Sequence, residues 1–327
     1  MDTYPISSKS LEKHYHINGD QLGQQYKDHL SNYRQWDQSS HAEEWLLFPE
    51  NLGSQMSIDE TSLSNGELYT ILTNKAAGGK KGVLTAMIRG TKAEEIIAVL
   101  KRIPERKRAQ VEEITLDMAG SMNQIVKCCF PKATQVIDRF HVQKLAYDAL
   151  QEMRIAHRWE AINEESNALD NARWNKQEYV PFRFDNGDTK KQLLARSRYL
   201  LFKSPEKWSV GQKQRAHILF AQYPDIQKAF SLTHSLRLIF SKTKDKAVAY
   251  TKLAKWYNDV TDSGFKSFNT ISATIYLHYP NILNFFDRRS TNASAESFNA
   301  KIKAFRTVLR GVSDTRFFLF RLTKIYA

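Results

Sequence analysis

Three carboxylates stand far apart in this 327-residue chain, each in a setting that suits metal-assisted cutting of a phosphodiester backbone. Asp59 lies in Met56-Ser-Ile-Asp-Glu-Thr-Ser-Leu63, Asp117 in Glu113-Ile-Thr-Leu-Asp-Met118, and Glu296 in Thr291-Asn-Ala-Ser-Ala-Glu-Ser-Phe-Asn-Ala-Lys-Ile-Lys303. Such cleavage needs in-line attack, with charge stabilised on both the entering and the leaving oxygen. Two divalent ions about 3.5–4 Å apart serve both needs. Mg²⁺ is a hard cation that takes oxygen ligands, a few of them carboxylates, and keeps several waters. One bridging acid and one further acid per ion would therefore suffice, and two Mg²⁺ (or Mn²⁺) are the expected cofactors. A single Asp at a strand end more commonly makes a turn or a cap. Only the three together carry the expectation.

The first two acids close apolar, strand-like runs, and the third sits on a basic, helix-like one. Ser57–Leu63, Glu67–Thr73 and Val83–Arg89 are short β-rich runs separated by Ser64-Asn-Gly66 and by Ala77-Gly-Gly-Lys-Lys-Gly82, as in an antiparallel meander. Strand alternation sends Asp59 and Glu60 to opposite faces, so only one of them is expected to join Asp117. Asp59 is chosen, because Ile58 and Glu60 share the other face. Thr91 and Glu94 form a potential capping box for a helix that stops at Pro104. Glu113–Met118 is a further strand, and Met122, Ile125, Val126 and Cys129 recur at helical spacing. Thr134–Asp138 is the last strand, with a helix starting near His141. The order βββαβαβα predicts an α/β fold: an RNase H-like mixed five-stranded sheet with flanking helices.

Residues 1–52 are expected to form a short helical N-terminal segment, with Asp20 capping its second helix. That segment reads either as a DNA-docking helix-turn-helix or as a packing arm. Residues 53–150 and 288–327 would supply the two parts of the core, the latter carrying the Glu296 helix. Between them, 151–287 reads as a large all-helical insertion domain. Its tryptophans include Trp208 and Trp256; an aromatic there could stack on a flipped base, but most tryptophans are simply core.

Net charge is +13 and the pI about 9.5, which favours a polyanionic partner. The surplus is uneven: residues 1–50 hold eight acids against four bases, whereas residues 288–327 hold nine bases against two acids. No apolar run approaches the ~18 residues that span a bilayer, and no signal peptide opens the chain. Cys128 and Cys129 are adjacent, which suits neither a disulfide framework nor a zinc site. A cytoplasmic, nucleoid-associated protein with no membrane partner is expected.

Four stretches in order resemble the insertion-sequence transposases of the ISL-three type, within the DDE superfamily. They are Ser57-Ile-Asp-Glu-Thr-Ser62, Thr115-Leu-Asp-Met118, Phe130-Pro-Lys-Ala133 with Val136-Ile-Asp-Arg-Phe-His-Val142, and the segment around Glu296. The resemblance implies a bacterial DDE transposase that cuts DNA at transposon ends and joins them to a target. It implies that Asp59, Asp117 and Glu296 are the catalytic metal ligands. Asp138 and His141 match a DxxH element, in which they would orient a phosphate or a ligating carboxylate; a structural cap is the competing reading. Arg139, Asn292, Asn299, Lys301, Lys303, Arg306 and Arg310 are the candidate DNA contacts. Partners would be double-stranded DNA and further copies of the chain. The cysteine-rich zinc module that usually opens such proteins is missing, so a separately encoded N-terminal DNA-recognition protein is a further expected partner. The rival expectations are an RNase H-like nuclease or resolvase without strand transfer, and a non-catalytic transposase-derived DNA-binding protein.

Overall fold

In the computed structural model, residues 1–63 and 66–327 are described, so the expected turn at Ser64-Asn-Gly66 falls largely on Ser64 and Asn65, outside the described residues. The chain divides into two units, Met1–Asp138 with Arg288–Ala327, and Arg139–Asp287.

The first unit is built on one mixed sheet of six strands: β1 Trp45–Leu47, β2 Gln55–Ser62, β3 Leu68–Asn74, β4 Leu84–Arg89, β5 Glu113–Leu116 and β6 Thr134–Ile137. Their order is β1-β4-β3-β2-β5-β6. The expected count of five is corrected to six: β1 joins the antiparallel edge by pairing Trp45 with Ile88 and Leu47 with Ala86. Three residues are too few to display a period of two, which is why alternation missed it. β2, β3 and β4 pair antiparallel, whereas β2, β5 and β6 run parallel. The ends of β2 and β5 therefore point the same way, and that decides where the acids lie.

Around this sheet stand α1 Lys9–Tyr15, α2 Gly19–Gln25, α3 Ala93–Leu100, α4 Glu105–Arg108 and α5 Gly120–Cys129. Leu46, Tyr69, Ile71 and Met87 on one sheet face form a single buried cluster with Ala295, Phe298, Ile302, Phe318 and Leu322. The opposite face carries Met56, Ile58, Ile114 and Leu116, all buried. There α3 and α5 pack on each other and on β4 and β5, with Met122, Ile125, Val126 and Cys129 inward as their spacing predicts. Two cap assignments are corrected. Asn18, not Asp20, caps α2, its side chain accepting from the Gln21 N–H; α3 begins after Lys92 without a side-chain cap, so Thr91 and Glu94 form no capping box. In the N-terminal segment, Tyr33 and Trp36 meet Phe320 edge-on, and buried Arg321 donates to the carbonyls of Met1 and Ile6. These contacts make the segment a packing arm.

The second unit is helical: α6 Arg139–Trp174, α7 Lys190–Arg196, α8 Val210–Gln222, α9 Pro224–Lys242, α10 Lys246–Ser263, α11 Lys266–Leu277 and α12 Tyr279–Leu283, with α13 Phe285–Arg288 closing it. Trp256 is buried and donates its indole N–H to the Leu232 carbonyl; Trp208 does the same to Leu200. The expectation that most indoles are core is corrected: Trp256 is buried and Trp208 partly so, whereas Trp159 and Trp174 on α6 are exposed. The chain then returns to the first unit through α14 Ala293–Val308 and α15 Thr315–Tyr326.

Candidate functional site

Parallel pairing of β2 with β5 ends in register at Ser57 and Thr115. Asp59 and Asp117 each lie two residues further on, so the two acids stand side by side on neighbouring strands and share a face. That face is the one α14 covers, because Asp59 pairs with Ile71, a member of the α14 cluster. One strand further, Leu116 pairs with Ile137 in β6, which brings buried Asp138 level with Asp117. Asp59 inside β2 and Asp117 and Asp138 just past β5 and β6 thus form a row at one register across three adjacent parallel strands.

Asp59 is held in place from two directions. Its Oδ1 accepts the Glu60 N–H at 2.9 Å and its Oδ2 accepts the Asn299 side-chain amide at 3.1 Å. Asn299 donates to the Glu60 carbonyl as well, also at 3.1 Å. Asp117 accepts the Ala119 N–H at 2.9 Å, a local turn that fixes its carboxylate at the strand end.

The third acid rides on α14. Buried Ala295, Phe298, Ile302 and Phe305 face the sheet at helical spacing. This orientation turns Asn299 and Arg306 along β2, with Arg306 donating to the Ser62 carbonyl at 3.2 Å. Glu296 precedes Asn299 by one turn on the same side and is exposed. Among the described residues no three His, Cys, Asp or Glu side chains are already gathered as an ion would require. The donor chemistry nevertheless suits a hard cation: two carboxylates at one register, and a third on the exposed first turn of α14. Without an ion between them, like charges have no reason to converge.

The remaining expected residues separate by environment. Lys303 and Arg310 are exposed on or just past α14, as DNA contacts require. Lys301 instead donates to the Gly79 carbonyl and lies over the Tyr326 ring. Asn292 is fully buried with neither amide atom partnered among the described residues. Direct DNA contact does not suit that position. Arg139 and His141 open α6 in the second unit, while Asp138 ends the first.

Two participants were missed. Glu60 was set aside by alternation, yet its carboxyl is pushed up by burial, then by the charge of Asp117, then by Asp59. Lys75, between β3 and the glycines of the β3–β4 loop, was not among the expected residues. Its ammonium is buried, donating to Glu113 at 3.2 Å and to Thr115. Burial pulls its pKa down, and the charges of Glu113 and Asp138 only partly reverse this. No local pattern signals either environment, since both arise from strand pairing.

A family model described as a transposase, of the ISL-three type, matches residues 56–322. No curated protein and no solved structure matches the chain. No helix among the described residues is long and apolar enough to cross a membrane.

Proposed function

The chain belongs to that transposase family, and we propose that it is a DDE transposase with an RNase H-like catalytic core, cutting DNA at the ends of an insertion sequence and transferring the strands to a target. The observation that carries this reading is the side-by-side register of Asp59 and Asp117, with Asn299 tying the Glu296 helix to Asp59. The helical unit Arg139–Asp287 is then an insertion ahead of the glutamate.

Asp59, Asp117 and Glu296 would hold two Mg²⁺ (or Mn²⁺). When bound, such ions supply Lewis acidity to the scissile phosphate and raise the acidity of water. Asn299 orients Asp59, and the Ala119 N–H orients Asp117, so each carboxylate keeps one direction. Lys303, Arg306 and Arg310 extend a basic strip along α14 that would follow the DNA backbone. Water attacks first and frees a 3′-OH; that hydroxyl then attacks the target phosphodiester, exchanging one phosphoester bond for another without an external energy source. Double-stranded DNA, further copies of the chain and a separately encoded recognition protein are the proposed partners.

The deciding experiment supplies a pre-cut transposon end, a supercoiled target and Mg²⁺. Joined product is expected. Cleavage without joining would replace this reading with a nuclease, and salt-sensitive binding without either reaction would make the chain a DNA-binding relic.

A further inference from the structure

Beside the acids, a hollow of about 360 Å³ opens between the β3–β4 loop and the start of α14. Lys75, Gly78, Gly79, Thr291, Ser294 and Ser297 are among its lining residues. Several properties of this wall suit an anion. α14 is a 16-residue helix whose N-cap, Asn292, makes no capping bond, so its first-turn N–H groups keep a partial positive charge with no side-chain acceptor. The Ser294 hydroxyl is buried and unpartnered among the described residues. Buried polar groups of this kind are rarely left without partners. Lys75 brings a largely buried ammonium that is already paired with Glu113 at 3.2 Å, so an anion in the hollow would share that cation with Glu113. Gly78 and Gly79 have φ of 58° and 75°, left-handed values that glycine adopts freely; Gly78 faces open space, and the Lys301 ammonium lies against Gly79, adding a second cation near the opening.

We propose that this hollow seats one backbone phosphate of the DNA strand held at the acidic site. The inference rests on the function proposed above. The hollow and the acids share two elements: Lys75 bonds to Thr115, two residues before Asp117 on β5, and Ser297 follows Glu296 on α14. A strand whose scissile phosphate meets Asp59 and Asp117 thereby gains a neighbouring cationic seat, offsetting the repulsion that carboxylates exert on a polyanion. A free phosphate ion presents the same chemistry, and the test separates the two.

The test uses the full chain, a fixed DNA duplex and fluorescence anisotropy over a range of salt. Lys75→Gln is expected to weaken binding several-fold at low salt and to lower the slope of log affinity against log salt by about one. Ser294→Asp should weaken binding at least as much, and the double variant should lose less than the two single losses combined, because both remove one contact. Lys107→Gln, on α4, is the charge control. If Lys75→Gln fails to fold because Glu113 loses its partner, Ser294→Asp decides alone, since an acid in the first helical turn is compatible with the helix. DNA affinity and salt slope unchanged in Ser294→Asp would overturn the proposal. So would inorganic phosphate that binds the wild type but not Ser294→Asp while DNA affinity stays the same, because the seat would then serve a free ion. Loss of Mg²⁺-dependent joining in the wild type, with the affinity differences intact, would count against the proposed function and leave the seat standing.

Discussion

The two units hold acids in opposite ways. In the helical unit the Asp188 side chain is fully buried, bonded to Arg196 and to Arg215 at 2.9 Å. Burial would raise its pKa, but the two guanidinium groups more than reverse this and hold it below the usual carboxylate range. In the sheet unit the half-buried Glu60 has no such relief. Burial, Asp117 and Asp59 all push its pKa up. An acid ringed by cations is finished structure, with its charge spent on stability. Acids left facing one another hold repulsion that a bound cation would relieve, and perturbed groups of that kind gather at functional sites. The contrast accords with the proposed reading, in which the helical unit is scaffold and the sheet unit carries the chemistry.

The strongest way to break this contrast is to remove each charge and see which property fails. Asp59→Asn, Asp117→Asn and Glu296→Gln are each expected to reduce Mg²⁺-dependent strand cleavage by about 10³-fold or more while DNA binding stays near wild type. Their melting temperatures should not fall, because repulsion is being removed. Cleavage close to wild type in any one of them would exclude that residue from the site. Asp188→Ala should do the reverse. Stranding a partly buried Arg215 costs about 3–5 kcal/mol, seen as a lower denaturation midpoint for the helical unit. If its loss is under about 1 kcal/mol, Asp188 is not the anchor its burial implies.

How much of this was legible beforehand follows from the range of the interactions. β2, β3 and β4 announced themselves by composition and turn chemistry, and α5 by Met122, Ile125, Val126 and Cys129, since these are local patterns that burial on one face dictates. β1 was silent because three residues exist as a strand only through pairing with β4. The capping errors at Asp20 and Thr91 have a similar source. Several polar residues near a helix start can cap it, and the path of the preceding chain decides which one does. In the site, Asp59 and Asp117 were candidates on residue type and position, and strand register then set them side by side. Lys75 and Glu60 were opaque, because what perturbs them lies on other strands or beyond the next residue.

Asn299 sharpens the comparison at its hinge point, since its side-chain amide bonds α14 to the first acid. Asn299→Ala removes a group that orients a carboxylate rather than the carboxylate itself. Losing such a group typically lowers metal affinity or activity 10–100-fold. The Mg²⁺ concentration for half-maximal cleavage should rise accordingly, while stability falls by only about 1 kcal/mol for the lost hydrogen bonds. A stability loss with an unchanged Mg²⁺ requirement would make Asn299 a packing residue.

The smallest effect is a difference of sign, measured as melting temperature against pH with a chelator present. Glu60 has a folded pKa raised above its ordinary 4.5, so folding disfavours its charged form. Its favourable contribution is complete below pH 4.5 and is lost as pH rises through the raised value. Glu60→Gln should therefore match the wild type in acid and melt slightly higher at neutral pH. Asp188 is the mirror case, with a folded pKa below its ordinary 3.8. Its contribution is present above that value and lost as pH falls through the lowered one, so Asp188→Asn should melt lower at neutral pH and converge on the wild type in acid. Added Mg²⁺ should then erase part of the advantage of Glu60→Gln, because an ion held by Asp59 and Asp117 screens the charges that raise the Glu60 pKa. It should leave Asp188→Asn where it was. If Mg²⁺ moves both variants equally, or neither, the repulsion around Glu60 is not the signature of a cation site.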